Sequence, residues 1–393
     1  MILLVTLVAL AQDDDWGNDD DVGFGDFEVE VAETPSTSPF SGGGSVRTTE
    51  SLWVERLSEQ PWAKARQSAD LWARYKVETW RIELSGHAEI DFPYWIKRDG
   101  FDEQTFDTYA WQVVPREALI AVSLGDFEIT AGRQLIVWGE GLLISPVDVV
   151  AARDLRDPGL ADLEDLRLPV TALRVGWFSG PHRIELAGVP ETDWGYRSPP
   201  GGPYGAVPSL LAENPLADNP LVAPLLEGRE YAWDHRQGRF ELDQFQGFAR
   251  WRYSGAVDLG LYAATLYDKQ GNLKLPDIDA FLQKGTIVLP IVHRRYTMVG
   301  HSGTAGLGDF LVRWEASLDV GRSFDTGDPE GLPPEIKAQS TELVNLMGGV
   351  QLAAIPRTTL DLEIGGGVFP SPLDDLLFPV NAVTYGFRGA HTA

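Results

Sequence analysis

The chain has 393 residues, a formal net charge of -26, 41 glycines, 13 tryptophans and no cysteine. So acidic a chain excludes nucleic acid as a partner, because phosphates need a basic surface. The missing cysteine excludes disulfides, thiolate metal sites and cysteine nucleophiles. A hydrophobic fraction of 44%, with no run of 18 apolar residues past the N-terminus, excludes both a disordered chain and a transmembrane helix.

The N-terminus, MILLVTLVALAQ, is apolar through Leu10 and carries Ala9-Leu10-Ala11 as an A-x-A cleavage pattern. Residues 1–11 resemble a secretory signal peptide, short and without a basic leader, and predict export. Residues 12–44 read as an acidic disordered periplasmic tail. Residues 12–34 alone hold ten carboxylates and no Lys or Arg, and such a stretch cannot bury enough apolar surface to offset ordering entropy. The Asp runs lack the spacing of an EF-hand.

From residue 45 to 393 the pattern changes to alternation with period two. Two weaker strands are predicted near Val46–Val54 and Ala69–Val77, then a strand from Trp80 to Trp95. Hairpins follow at Ala110–Leu124 with Phe127–Trp138, and at Val170–Phe178 with Arg183–Val189. Others are Gln244–Tyr253 with Val257–Tyr267 and Val344–Ile355 with Thr358–Phe369. His293–His301 and Phe310–Val320 are read as joined by the glycine-rich turn GHSGTAGLGD, and Val383, Tyr385 and Phe387 mark a last strand. Short turns alternate with long loops, placed roughly at 96–108, 140–167, 193–238, 269–287, 322–341 and 370–380. The loop 193–238 carries NPLADNPLVAPLLEG, which suggests one or two helical turns. The count is about fourteen strands, with both chain ends on the short-turn side.

The alternation separates two faces. In the stretch from Trp80, Ile82, Leu84, Ala88, Ile90 and Phe92 oppose Arg81, Glu83, His87, Glu89 and Asp91. A soluble sandwich also alternates. These strands exceed the usual five or six residues, however, and aromatics gather toward their ends. Fourteen residues tilted by about 40° rise roughly 35 Å, close to an apolar band of about 25 Å with its aromatic girdles. A sheet in hydrocarbon has to satisfy every backbone group. The predicted fold is therefore all-β: a closed antiparallel transmembrane barrel with short periplasmic turns and long extracellular loops. Trp80 and Tyr94 would mark its two interfaces. Arg133 is a misfit, sharing parity with Phe127, Ile129 and Leu135. Either a bulge near Gly132 turns it inward or its face is misread.

Residues 126–150, DFEITAGRQLIVWGEGLLISPVDVV, resemble a phrase of a poorly characterised group of Gram-negative outer-membrane β-barrels. The carrying residues are Gly132, Arg133, Gln134, Trp138, Gly139, Asp148 and the strand start Leu168-Pro169. The resemblance spans about residues 105–190. It implies a porin-like barrel and, in some relatives, a link to export of lipids or polymers. It carries over no catalytic residue.

The inward charged set is Arg81, Glu83, His87, Glu89, Asp91, Arg174, Arg183, Glu185, Arg250, Arg252, Arg313, Glu315, Asp319, Asp361 and Glu363. It reads as a pore lining or, more blandly, as lumen ion pairs. The partly apolar loop 140–167 is the candidate constriction, with Asp148, Arg153, Asp154 and Arg156 narrowing the pore; an ordinary surface loop is the alternative. GHSGTAGLGD lacks the GK[ST] ending of a phosphate loop. No Ser-His pair forms a hydrolase motif, and His293 and His301 are weak candidates as lumen ligands. The chain is expected to be an outer-membrane channel or transporter for a solute, lipid or polymer, with no enzyme activity, cofactor or metal. Its expected partners are outer-membrane lipid and the barrel-assembly machinery. A closed barrel with a structural or display role, or an outer-membrane lipid hydrolase, are the alternatives.

Overall fold

The computed structural model describes residues 2–5, 38–53, 62–157, 163–205, 229–235, 244–274, 285–328, 335–355, 357–371, 373–376 and 383–391. One antiparallel sheet of fifteen strands, paired in sequence order, dominates it. The strands are β1 (Ile2–Val5), β2 (Phe40–Trp53), β3 (Trp62–Val77), β4 (Trp80–Asp91) and β5 (Trp111–Leu124). Then come β6 (Phe127–Gln134), β7 (Val170–Ser179), β8 (His182–Val189), β9 (Gln246–Tyr253) and β10 (Val257–Tyr267). The last are β11 (Arg295–Leu307), β12 (Phe310–Asp328), β13 (Glu335–Ile355), β14 (Thr358–Val368) and β15 (Thr384–His391). From β2 onward this is the fourteen-strand rhythm read from the sequence. Beyond that, Ile2–Val5 adds an edge strand against Glu50–Trp53.

Several boundaries are corrected. β2 starts at Phe40, four residues before the expected end of the tail. Residues 6–37, with most of the signal-peptide and tail readings, lie outside the described residues, as do 214–228 and their suggested helical turns. The stretch from Trp80 does not run extended to Trp95. It ends at Asp91, and Phe92–Ile96 forms a helical turn, α1, with proline in its first turn. Pro93 has no N–H to give a ladder but suits a helix start. Tyr94 is therefore no interface marker: it is buried, stacked on Tyr109 at 5.0 Å and against Phe101 at 4.7 Å. Tyr109 closes α2 (Glu103–Tyr109), whose N-cap Asp102 accepts the Thr105 N–H at 2.7 Å. The loop 96–108 is thus largely helical.

The glycine-rich turn is also shorter than expected. β11 runs through it to Leu307, and only Gly308-Asp309 turn, with Gly308 at φ 64°. The expected loop 322–341 is mostly hairpin, because β12 and β13 continue past a register shift between Asp319 and Arg322. Gly321 sits in that shift at φ 76° and breaks the alternation that would have marked the strand. The ladder across Gly132 has no shift. The bulge lies one strand over, where Arg116 and Glu117 oppose Ser85, and Ser85 Oγ accepts the Glu117 N–H at 3.0 Å.

The two faces part as expected. Leu71, Leu84, Val113, Leu173, Leu186, Leu261, Leu346 and Leu362, from eight different strands, are each more than half exposed. The polar residues of opposite parity, such as His87, Glu89, Glu185, Arg313, Glu315 and Glu363, are buried. Two small three-stranded sheets lie in the long connections. One sets Ala152–Leu155 between Tyr196–Arg197 and Arg167–Leu168. The other sets Ile287–Val292 between Tyr231–His235 and Asn272–Leu273.

Candidate functional site

β6 leaves the ladder at Gln134, and the chain re-enters the sheet only at Val170. The described residues between them, 135–157 and 163–169, run along the polar face of the sheet and touch strands near both ends of it. Arg47 of β2 pairs with Asp165 at 2.7 Å. At the other end a Cβ on Gly386 of β15 would strike Leu143. The sheet is therefore rolled around this inner segment.

Its first half is anchored by apolar packing. Trp138 is fully buried, edge-on to Phe248 at 5.7 Å and tilted over Tyr262 at 5.4 Å. Ile136, Val147 and Val150 join the same core with Leu266, Tyr296 and Met298. The Trp138 indole donates to Glu185 at 3.2 Å, and its amide donates to Asp148 at 3.2 Å. Past Trp138 the backbone amides turn toward two carboxylates of the sheet. Glu315 accepts Glu140 N–H and Gly141 N–H at 2.5 and 2.7 Å and the Ser145 hydroxyl at 2.8 Å. Glu363 accepts the amides of Leu142, Leu143 and Ile144 at 2.8, 2.8 and 2.9 Å. Each acid thus satisfies backbone donors that no ladder serves. Gly139, at φ 86°, permits the approach: a Cβ there would sit 2.5 Å from the Glu315 carboxylate and 2.3 Å from Ser145 Oγ. Lys269 closes the half by donating to the Val149 and Val150 carbonyls at 2.7 and 2.5 Å. Its burial lowers the ammonium pKa to about 7, against the pull of Asp148.

The second half is held by charge. Asp157 pairs with Lys64 at 3.1 Å and Arg66 at 2.8 Å, all three buried. Burial alone would raise the Asp157 carboxyl, but Arg66, Lys64 and Arg156 outweigh it and hold it below the usual range. Arg156 bridges Asp154 at 2.6 Å and Glu89 at 3.1 Å, and donates to Gln112 and the Thr108 carbonyl. Asp165 takes Arg116 at 2.9 Å as well as Arg47. Asp148 joins the halves through Arg167 at 2.6 Å and Arg153 at 3.6 Å.

The remaining inward residues pair among themselves. Arg81 approaches Glu83 at 3.5 Å, Arg313 meets Asp361 at 2.6 Å, and Arg322 meets Asp319 at 2.9 Å. Arg252 reaches Glu140 at 3.8 Å, and Arg66 reaches Asp91 at 3.5 Å. Arg174, Arg183 and Arg250 converge on Glu185. Arg133, with the outward parity, meets Glu191 at 3.3 Å beyond β8. Asp70, His87 and Asp165 place ligand atoms within 4.8 Å of one another. His87 already bonds Asp70 and Glu89, and Asp165 holds two arginines, so the trio reads as part of the ion-pair network. His301 is exposed on the outward face of β11. His293 lies outside the large sheet, its Nε2 2.8 Å from His235 and its ring 3.6 Å from Trp194.

The family model for DUF1302, described as a protein of unknown function, matches residues 119–367. The chain belongs to the DUF1302 family. The matched range contains the whole inner segment and both of its carboxylate anchors. No curated protein matches the chain. Among solved structures, this DUF1302 chain is similar to a loop-deletion mutant of OmpT, an outer membrane protein of Vibrio cholerae. The identity is 11% and the TM-score 0.35, over 90% of this chain and 97% of that one. Salmonella typhi OmpF in complex with daunomycin matches at 7% identity and TM-score 0.39, over 84% and 77%. A Rhodopseudomonas blastica porin mutant matches at 9% and 0.33, over 89% and 98%.

Sequence reasoning selected the inner segment, but as a constriction narrowed by Asp148, Arg153, Asp154 and Arg156. It missed that Glu315 and Glu363 serve backbone amides, and it missed Lys64, Arg66, Asp157 and Asp165. The available signal was WGEG: two glycines around one acid, directly after a buried tryptophan, suit a chain that bends tightly onto something.

Proposed function

We propose that this DUF1302 chain is a bacterial outer-membrane β-barrel that passes a solute through a lumen occupied at rest by the segment 135–169. The observation that carries the reading is the apolar outer band. A face with one half-exposed leucine or valine on strand after strand is far larger than the few hundred Å2 that soluble monomers leave uncovered. Hydrocarbon suits that face, and the paired charges suit an interior. Closure would come from β2 and β15. The first starts, and the second ends, on the short-turn side, so the two run antiparallel.

The experiment begins with fractionation and heat-modifiable migration. The protein should enter the outer membrane and migrate as a compact form until boiled; a soluble protein would overturn the reading. Leu84→Arg, which puts a cation on the outer face near the middle of β4, should cost about 2–4 kcal/mol near mid-bilayer and impair assembly. In planar bilayers the wild type should conduct little, and variants that loosen the inner segment should conduct more. A barrel that stays closed in all of them supports a structural or display role instead. Lipid hydrolysis by the purified protein would favour an enzyme.

A further inference from the structure

Past the register shift at Asp319 and Arg322, β12 and β13 continue on the long-loop side of the sheet. There β12 meets two connections, the one that follows β10 and the one that follows β14. Asn272 donates to Asp325 at 2.9 Å, and on the other side the Gly327 amide donates to the Asp375 carbonyl at 2.9 Å. Where the three elements meet lies a cavity of about 70 Å3, walled by Asp268, Gly271, Asn272, Ser323, Asp325 and Leu376. Ser323 is the telling residue. It is only 4% exposed, and its hydroxyl has no hydrogen-bond partner among the described residues. A buried hydroxyl is normally bonded, so this one calls for a ligand in the cavity that it helps to wall.

The rest of the wall says what kind of ligand. Asp325 takes one hydrogen bond on each oxygen, from Asn272 and from the Leu273 amide at 3.1 Å. A carboxylate has about four lone-pair sites, so half of its capacity is unused, and no described residue forms an ion pair with it. Asn272 spends its amide nitrogen on Asp325 and keeps its oxygen. Asp268 is better served: Arg322 lies at 3.1 Å, shared with Asp319, and Arg197 and Lys269 act on its charge as well. A water could satisfy Ser323, but a neutral molecule would leave Asp325 uncompensated beside a second carboxylate. Carboxylate, hydroxyl and amide oxygens are the ligands of a hard cation. Calcium accepts six to eight of them in irregular geometry, whereas magnesium demands a near-ideal octahedron. We propose that this cavity binds one divalent cation of the calcium type, held by Asp325, Ser323 and Asn272, with Asp268 and water completing its shell. Lys269, which follows Asp268 directly, donates to the Val149 and Val150 carbonyls of the inner segment. The cation therefore steadies the loop that carries this contact. The inference goes beyond the channel reading, since the cation binds whether or not the lumen conducts.

The test uses the full chain in a non-ionic detergent, stripped of metal with EDTA. It is titrated calorimetrically with calcium chloride and, separately, magnesium chloride, each against sodium chloride at equal ionic strength. Calcium should bind saturably with a Kd of about 0.1–1 mM, the range of extracellular calcium modules, and magnesium more weakly. The acidic residues 12–34 can also collect cations, so the site is read locally. Calcium should slow amide hydrogen exchange at Gln270 and Leu273, whose N–H groups donate to Asp268 and Asp325. Asp325→Asn should abolish that slowing. Ser323→Ala removes a hydroxyl that has no partner, so it should fold as the wild type does and lower the calcium affinity about threefold or more, through the loss of one ligand. Slowing that is absent, that sodium produces equally, or that persists undiminished in both variants overturns the cation site.

Discussion

The two halves of the inner segment meet the same sheet by different physics. Residues 136–151 bury a tryptophan and a set of valines, and hand their backbone amides to Glu315 and Glu363. The described residues of 152–168 bury few apolar side chains and depend on Asp157, Arg156 and Asp165 meeting opposite charges from β2, β3, β4 and β5. Apolar burial is not screened by salt and is nearly indifferent to pH. Ion pairs are screened, and they hold only while both partners stay charged. The first half thus keeps an apolar anchor when charges are screened or neutralised, whereas the second depends on its ion pairs.

The sharpest way to break this contrast is Trp138→Ala. Removing a fully buried indole should cost about 3–5 kcal/mol and release the first half, seen as a lower temperature of heat-modified migration together with a rise in bilayer conductance. Asp157→Asn should cost about 3 kcal/mol, because Lys64 and Arg66 remain buried without that charge. It should make residues 152–168 exchange amide protons faster while 136–151 stay protected. Equal loosening of both halves would refute their independence. Glu363→Gln should be milder, about 1–3 kcal/mol, since the amide oxygen still accepts but the second acceptor is lost. Its effect should centre on Leu142–Ile144 and persist in high salt, where the Debye length falls to about 3 Å at 1 M.

The sheet was legible because period-two alternation reports burial of one face directly. β10 was predicted at both ends, and the hairpin at Gly125-Asp126 was placed correctly, because glycine and aspartate punctuate strands plainly. β12 and β13 were read short because Gly321 interrupts the alternation, although the ladder survives its bulge. Trp80–Trp95 was read long because Pro93 and Tyr94 keep the parity while the backbone has already turned helical. The site was less legible for a related reason. Alternation says that Glu315 and Glu363 point inward. Only the fold can say that what they meet is a backbone arriving from 170 to 220 residues away in sequence.

The smallest expected effect lies outside both halves, in the loops above them. His235 and His293 hold each other through one hydrogen bond, and His293 Nδ1 donates to the Asp268 carbonyl at 2.7 Å. Both rings are kept neutral. Burial, with Arg197 nearby, lowers His235 to about 4, and burial with His235 and Arg197 lowers His293 to about 4 despite the Asp268 bond. A histidine whose folded pKa is depressed contributes stability that is fully present above its unfolded pKa near 6.5 and is lost as pH falls toward the folded value. The window is therefore about pH 6.5 to 4, and the loss should appear first where the pair ties strand Tyr231–His235 to the residues after Ile287–Val292. Hydrogen exchange at pH 7 and 4.5 should show faster opening of these loops at the lower pH, with Trp138 and its neighbours unchanged. The double variant His235→Phe/His293→Phe, which keeps an aromatic ring on Trp194 but cannot titrate, should remove most of that pH dependence. If the dependence survives in the double variant, the loop response belongs to the carboxylates of the second half, and the separation between loops and inner segment fails.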